Sequence, residues 1–150
     1  MDELSIQEAL YPQITCFGCG HANPDGLKLR SYRDGDVVVA RFTSAPHHDN
    51  GFGFLNGGII TTVLDCHSAA VVMSEAHDRG WEAPPGAPVP FITAGIEVRF
   101  LRPAPLAEEV ELVGRASSVD EQEIVAAVEL VAGGKVRAEG SAVWKRFRPR

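Results

Sequence analysis

The sequence predicts an α+β protein in which an antiparallel β-sheet wraps around one long central helix. The first observation is Gly57–Met73, a stretch that is apolar or small nearly all the way round a helical wheel. A helix without a polar face is normally buried on every side. The second observation is that the chain after residue 90 consists of β-rich runs separated by short turns. Strands joined in this way must be antiparallel, so they can form one curved sheet, and a second copy of the protein is expected to cover what the sheet leaves open.

The elements before the central helix are short. Residues 2–10 are expected to form a short acidic helix, and residues 16–26, which are rich in Gly, Pro and Asn, a loop. Leu27–Tyr32 alternates apolar and polar residues with the period of a half-buried strand. Asp34–Gly35 indicates a hairpin, and Val37–Phe42 is the return strand.

The central helix follows a loop over residues 44–56. It is predicted from Gly57 to about His77, with a stop near Gly80. Residues 81–90 hold four prolines and therefore form a connector without regular structure. The rest of the chain predicts four strands: Thr93–Leu101, Glu109–Ser118, Glu123–Val131 and Lys135–Phe147.

The composition predicts a single domain over residues 1–150, with residues 1–26 as an N-terminal extension and Cys/Gly-rich loop. The 45% hydrophobic and 23% charged residues exclude disorder. The net charge of −6 argues against a nucleic-acid partner. The acidic N-terminus does not resemble a secretory signal, and the polar residues inside the longest apolar stretch argue against a membrane span. Because three cysteines, an odd number, suit a reducing compartment, we expect a cytoplasmic protein.

Asp65 and Gly57 are the candidate chemical groups of the helix. A lone carboxylate in an apolar helix is costly unless it is paired or protonated, and such groups are enriched at functional sites, although a satisfied structural role is the alternative. Gly57 and Gly58 open the helix, where unpaired N–H groups carry the positive end of the dipole and suit an oxyanion. The alternative there is a plain helix start with Asn56 as its N-cap.

The distance between these two groups predicts a site shared between subunits. Gly57 and Asp65 are eight residues apart, which is roughly 12 Å along a helix. An oxyanion donor and a base must each reach one carbonyl within about 3 Å, which one helix cannot achieve. Two antiparallel helices across a two-fold axis would place Gly57 of one chain near Asp65 of the other. The helical stripe that contains Asp65 is mostly small, as a close approach requires: Gly58, Thr61, Thr62, Ser68, Ala69, Val72 and Ala76.

The spacing of these residues resembles that of the hotdog-fold thioesterase superfamily, in the branch similar to PaaI-like and 4-hydroxybenzoyl-CoA thioesterases. The matching pattern runs from the loop through the helix to the next strand: His48-x-Asn50, Gly53, Leu55–Asn56–Gly57–Gly58, Asp65, and Thr93 ten residues before Pro103. Residues 16–29 also resemble the N-terminal signature of one subgroup.

The resemblance implies a hotdog fold, a homodimer or homotetramer, and hydrolysis of an acyl- or aryl-CoA thioester. It implies that the Gly57 N–H polarises the thioester carbonyl and that Asp65 acts as base or nucleophile. The Thr93 hydroxyl would help to hold the water, and Asn50 would lie near the leaving thiolate or the water. The substrate-binding positions expected with them are Asn56, Gly58, His48 and Arg102. Many relatives have His where this chain has Asn56, which can donate a hydrogen bond but cannot accept a proton at neutral pH.

Two other functions within the same fold remain open from the sequence. One is a non-catalytic hotdog protein that binds acyl-CoA. The other is an enoyl-thioester hydratase or dehydratase, in which His48 would act with a carboxylate. Intact Asp65, Gly57 and Thr93 favour hydrolysis over both.

A metal site is the remaining alternative. Cys16-x-x-Cys19 with His21 has the spacing of zinc ligands, and Cys66–His67 or His47–His48 could complete it. Because the chain has no second matched pair of ligands, we expect no metal and no other cofactor, and we expect the two cysteines to shape a Gly-rich loop. His67 is expected to be a core histidine that packs into the sheet.

Overall fold

The computed structural model describes residues 3–149, which form two helices and six strands. In chain order these are α1 (Ile6–Leu10), β1 (Ser31–Asp34), β2 (Val37–Thr43), α2 (Gly57–Asp78), β3 (Phe91–Phe100), β4 (Glu109–Val119), β5 (Glu123–Ala132) and β6 (Lys135–Arg146). The strands form one sheet in the order β1-β2-β4-β5-β6-β3, and every neighbouring pair is antiparallel. The prediction of an antiparallel sheet with one long helix is therefore confirmed.

The core lies between the concave side of the sheet and α2. Val63, Leu64 and Ala70 of the helix are fully buried, as are Leu112 and Leu130 of the sheet. Each such Leu or Val side chain contributes about 1.5–3 kcal/mol by leaving water. By length and composition α2 is apolar enough to cross a membrane, but 67% of that apolar stretch is buried within the protein, as in a core helix.

The first helix is shorter than predicted. It begins at Ile6, where the Ser5 hydroxyl accepts a hydrogen bond from the Glu8 N–H and acts as the N-cap. Asp2, the first residue of the predicted helix, lies outside the described residues. The cap explains why residues 3 and 4 remain outside the helix.

The predicted strand Leu27–Tyr32 is wrong in its first four residues, because β1 begins only at Ser31. The N–H groups of Leu27 and Leu29 donate to the carbonyls of Phe17 and Gly18 instead of to a strand of the sheet. Between them Lys28 takes a left-handed conformation, with φ +58°. The alternating segment therefore pairs with the Cys/Gly-rich loop, and its Leu29 side chain is buried in the core.

The remaining boundaries agree with the sequence prediction to within a few residues. The β1–β2 hairpin turns at Gly35 with φ +61°, a conformation that glycine adopts without strain. The helix α2 stops before Gly80, which has φ +70°. Residues 81–90 are irregular up to the start of β3, as predicted.

The last strand in the sheet order, β3, is an edge strand that carries an irregularity. It pairs with β6 on one side and with no described strand on the other. Its register with β6 shifts between Thr93 and Gly95, which marks a β-bulge at Ala94. Thr93 faces α2 before the bulge and Ile96 is among the residues packed on the core after it, so the bulge changes which alternate residues point inward.

The imidazole of His67 lies in the core, as predicted. Its Nε2 donates to the Val38 carbonyl at 2.9 Å, so its Nδ1 accepts from the Ser31 hydroxyl, also at 2.9 Å. The Ser31 oxygen in turn accepts from the Gln7 side chain at 3.1 Å. Burial lowers the pKa of His67 to about 4, so this histidine is neutral at physiological pH.

Candidate active site

The start of α2 presents one free backbone N–H. The Asn56 side-chain oxygen accepts from the N–H groups of Gly58, at 2.7 Å, and Ile59, at 3.2 Å. Asn56 is therefore the N-cap, and its oxygen satisfies two of the unpaired donors of the first turn. The Gly57 N–H has no hydrogen-bond partner among residues 3–149. It is the donor to which the family resemblance assigned the thioester oxygen.

A cavity of about 320 Å³ lies at this helix start. Asn50 and Gly57 line it together with Phe100 and Arg102. A Cβ atom at Gly57 would come within 3.3 Å of the Phe100 ring, so glycine keeps the space between helix and ring open. The structure thus brings Asn50, Gly57 and Arg102, three of the predicted site residues, to one cavity.

The loop before α2 is held by its own polar side chains. The Asn50 side-chain oxygen accepts from the Phe52 N–H at 2.8 Å, and its NH2 group has no partner in the described part of the chain. The His48 Nδ1 accepts from the Ala45 N–H at 3.0 Å, and the His48 carbonyl accepts from the Asn56 N–H at 2.9 Å. Asn50 can therefore donate to a ligand, whereas His48 shapes the loop and its contact with substrate stays a prediction.

Asp65 and Thr93 form the second part of the candidate site. The Thr93 hydroxyl donates to the Asp65 carboxylate at 3.0 Å, which joins β3 to the middle of α2. Burial raises the pKa of the half-buried Asp65 carboxyl, the Thr93 hydrogen bond opposes the rise, and the charge of the Cys16 sulfur adds to it. A carboxylate whose pKa is raised is a stronger base than a free one.

Two residues that the sequence analysis did not assign position the backbone at Asp65. The Ser68 hydroxyl donates to the Asp65 carbonyl at 2.6 Å, and the Trp144 indole N–H donates to the Ser68 hydroxyl oxygen at 2.9 Å. Ser68 was visible in the small-residue stripe of the helix. Trp144 comes from β6, and only the folded structure shows that it reaches α2.

The predicted site residues therefore fall into two groups on one chain. Asn50, Gly57 and Arg102 lie at the helix start, while Asp65 and Thr93 lie about 12 Å further along the helix axis. No single small acyl group reaches both groups within one chain. The N–H of Gly58 is taken by Asn56, so its contact with substrate also stays a prediction.

Three cysteine sulfurs meet beside Asp65. Cys16 and Cys19 come from the Gly-rich loop and Cys66 from α2, and their Sγ atoms all lie within 4.8 Å of one another. The sequence analysis expected the first two to shape a loop, which they do. It did not settle that Cys66, 50 residues along the chain from Cys16, joins them.

Comparison with known proteins finds thioesterases that are similar to this chain. Residues 52–139, more than half of the chain, match the family model described as thioesterase superfamily. Comparison with curated proteins gave no match. Among solved structures, the chain is similar to a thioesterase superfamily protein from Shewanella loihica, with 28% identity over 85% of this chain and 98% of that chain and a TM-score of 0.64.

Two more distant structures share the same fold. One is the E. coli PaaI protein from the phenylacetic acid degradation operon, with 18% identity over 81% of each chain and a TM-score of 0.67. The other is smu.793 from Streptococcus mutans bound to acetyl-CoA, with 17% identity over 81% of this chain and 90% of that chain and a TM-score of 0.64. At these identities the likeness concerns the fold.

Proposed function

Since the chain belongs to the thioesterase superfamily and has its hotdog fold, we propose that it hydrolyses the thioester bond of an acyl- or aryl-CoA. The observation that carries this proposal is the Asp65–Thr93 pair, a half-buried carboxylate held by a hydroxyl from the neighbouring strand. A CoA thioester as the substrate is supported by the S. mutans structure, which contains acetyl-CoA.

In the proposed reaction the Gly57 N–H donates a hydrogen bond to the thioester oxygen and stabilises the negative charge that forms there. Asp65 takes a proton from a water molecule that the Thr93 hydroxyl helps to hold, and the resulting hydroxide attacks the carbonyl carbon. The C–S bond then breaks, the acyl group leaves as a carboxylic acid, and the CoA thiolate takes up the proton. Direct attack by Asp65 would give an anhydride that water then hydrolyses, with the same products.

We propose further that each site is formed by two copies of the chain. The predicted small-residue stripe of α2 is open only in its N-terminal half, at Gly58, Thr61, Thr62 and Asp65, and Gly57 at the helix start is partly exposed as well. The edge strand β3 runs beside it and exposes Ile92 by 48% and Phe100 by 57%. A long edge strand with exposed apolar side chains is a template for pairing with another chain. Antiparallel pairing there would bring Gly57 of one copy to Asp65 of the other.

The hydratase alternative gains no support from the loop geometry. It needs a histidine that is free to exchange a proton with substrate, and the Nδ1 of His48 is occupied by the Ala45 N–H. The pKa of His48 is also lowered, first by burial and then by His47. The non-catalytic alternative is decided by experiment.

The test is a hydrolysis screen over aryl, short, medium and long acyl-CoAs, with release of free CoA as the readout. On the best substrate, Asp65→Asn is expected to lower kcat by about 10²–10⁴-fold, because the amide cannot take a proton. The matched control is Asp78→Asn, at the exposed end of the same helix, where the carboxylate pairs with Arg33. It should leave kcat unchanged.

Two outcomes would contradict the proposal. Near-normal kcat in Asp65→Asn would make Asp65 a structural residue. Tight binding of an acyl-CoA by the wild-type protein without hydrolysis of any member of the panel would favour a non-catalytic binding protein.

A further inference from the structure

We propose that Cys16, Cys19 and Cys66, here called the cysteine cluster, bind a divalent d10 cation of the zinc class through their three sulfurs. They are the only cysteines of the chain, and their Sγ atoms lie within 4.8 Å of one another. The Sγ atoms of Cys16 and Cys66 are 3.7 Å apart. Two sulfurs on a tetrahedral zinc ion at the usual bond length are about 3.8 Å apart, so this pair already has the ligand spacing. The proposal does not rest on the proposed hydrolysis, although the cluster lies beside Asp65.

The loop that supplies Cys16 and Cys19 forms a tight turn. The Gly20 N–H donates to the Cys16 carbonyl at 2.8 Å. A Cβ atom at Gly20 would lie 2.5 Å from the Cys16 backbone, so only glycine allows this tight turn. The turn therefore fixes the backbone that carries Cys16 and Cys19.

The loop and the helix approach so closely that the third sulfur faces the other two. A Cβ atom at Gly18 would lie 2.3 Å from the Cys66 sulfur and 2.9 Å from the Thr62 side chain. Any larger residue at position 18 would push the loop away from α2. The three-sulfur geometry therefore rests on this glycine as well as on the cysteines.

Tyr11, five residues before Cys16, carries a buried hydroxyl without a partner in the described part of the chain. Tyr11 is only 4% exposed, and its hydroxyl makes no hydrogen bond within residues 3–149. Burial raises the pKa of Tyr11, and the charges of all three cysteine sulfurs raise it further. Metal-bound thiolates are hydrogen-bond acceptors, and partners of this kind orient the ligands of many metal sites. A loaded cluster would give the Tyr11 hydroxyl the acceptor that it lacks.

The donor set indicates which cation fits. Soft thiolates select zinc and related thiophilic ions over magnesium or calcium, which prefer oxygen ligands. Three protein sulfurs leave one position of a tetrahedron for solvent. His21, the ligand that linear spacing had suggested, is exposed and its ring contacts Arg30 at 3.1 Å. The expectation of no metal rested on the lack of a second ligand pair, and the helix supplies Cys66 in its place.

The experiment uses the full chain, reduced and freed of metal with a chelator. Titration with Zn²⁺ should bind one equivalent per chain. Titration with Co²⁺, a spectroscopic substitute for Zn²⁺, should give thiolate-to-cobalt charge-transfer absorption and the visible bands of a tetrahedral ion. Cys16→Ser and Cys66→Ser should each lose the charge-transfer intensity of one sulfur and bind far more weakly.

Two matched variants separate ligands from neighbours. His21→Ala should bind Zn²⁺ with wild-type affinity. Tyr11→Phe should keep the stoichiometry of one and bind about 10–100-fold more weakly, as expected when a hydrogen bond to a ligand is removed. Wild-type affinity in Tyr11→Phe together with a wild-type cobalt spectrum in Cys16→Ser would overturn the assignment.

A measurement on the wild-type protein does not require any variant to fold. Cys19 and Cys66 are buried, so the readout is Cys16, which is partly exposed. Bound Zn²⁺ should protect Cys16 from alkylation, as read by mass spectrometry, and a chelator should restore its reactivity. Equal alkylation rates with and without Zn²⁺ would also overturn the proposal. Loss of hydrolysis in Asp65→Asn does not alter these readouts, so the metal site and the proposed activity can fail separately.

Discussion

The Asp65 carboxylate shows how one hydrogen bond makes a half-buried charge tolerable. Leaving water disfavours the charged form, and the Thr93 hydroxyl returns part of the lost solvation by donating to one carboxylate oxygen. The other oxygen has no partner within residues 3–149 and is available to water or substrate. The same arrangement stabilises the buried carboxylate and leaves one of its oxygens free for the proposed reaction.

Replacement of Thr93 tests this division. Thr93→Val keeps the shape of the side chain but removes the donor, and a hydrogen bond to a charged group is worth about 1.5–3 kcal/mol. We expect kcat/KM on the best acyl-CoA to fall by about 10–100-fold. Thr93→Ser keeps the hydroxyl and should retain most of the activity. Equal activity of the Val and Ser variants would show that the hydroxyl has no part in the reaction.

The helix α2 is joined to the sheet and to α1 by a buried polar network as well as by apolar packing. His67 on α2 contacts Ser31 of β1 and Val38 of β2, and Ser31 contacts Gln7 of α1. Each buried polar atom of this network has a partner, which avoids the cost of an unsatisfied group. The hydrophobic pattern alone does not determine where α1, β1 and β2 lie relative to α2, and this network fixes their positions.

This network predicts that the protein loses stability in mild acid. The pKa of His67 is about 4 in the folded protein because burial disfavours the charged ring, whereas an exposed histidine titrates near 6.5. Between these values the unfolded chain binds a proton that the folded one does not, so stability falls as the pH is lowered from about 6.5 to about 4. The expected loss from this group is about 3 kcal/mol. Above pH 6.5 the contribution is fully present.

Urea unfolding of chelator-treated protein at several pH values measures this loss. His67→Gln should be less stable at neutral pH but should lack this part of the pH dependence. His77→Gln, an exposed position of the same helix, should keep it. If His67→Gln and the wild-type protein lost stability in parallel, another group would be responsible.

The elements that could be predicted from the sequence are those whose own pattern decides them. The helix α2 has an unbroken apolar surface and a glycine stop, and β4 to β6 are separated by clear turns, so their bounds agree with the structure. Leu27–Leu29 alternates equally well but pairs with Phe17 and Gly18. Alternation predicts an extended backbone and cannot identify the partner that accepts its hydrogen bonds.

The candidate site was predictable in the same uneven way. Helical geometry alone separates Gly57 from Asp65, and the structure keeps them in two groups. The contact of Thr93 with Asp65 depends on the bulge in β3, and that of Cys66 with Cys16 on the tight approach at Gly18. Neither the bulge nor this approach leaves a periodic signal in the chain, which is why the sequence could not establish them.

If each site is formed by two chains, as proposed, hydrolysis requires that the chains associate. The edge strand β3 and the open half of α2 lie side by side, so one docking event would cover both. We expect sedimentation at micromolar concentration to give a dimer or a larger assembly. A monomer would contradict the shared site, because it would leave the free N–H of Gly57 without a base within reach.

Subunit mixing tests the shared site directly. Asp65→Asn and Gly57→Val should each be inactive, the second because the new side chain meets the Phe100 ring. In a mixed dimer one site carries both changes and the other carries neither. Refolding the two together should therefore restore up to about a quarter of wild-type activity, since half of the dimers are mixed and each has one intact site of two.

Two controls complete the mixing experiment. Each variant refolded alone should stay inactive, and Gly57→Val must form the same assembly as the wild-type protein. No recovery from two variants that assemble normally would mean that Gly57 and Asp65 of the same chain serve one site.

The bulge at Ala94 lets β3 present an odd and an even position to the same side of the sheet. It shifts the alternation by one residue, so that Thr93 and Ile96 both face inward. A regular strand of the same length would alternate strictly and turn one of these two side chains to the outer surface. Deleting Ala94 would instead leave both inward, because Thr93 and Ile96 would then stand two positions apart. A related chain that keeps the length of β3 but pairs without the bulge would keep the fold and lose either the partner of its helix carboxylate or a side chain of the core.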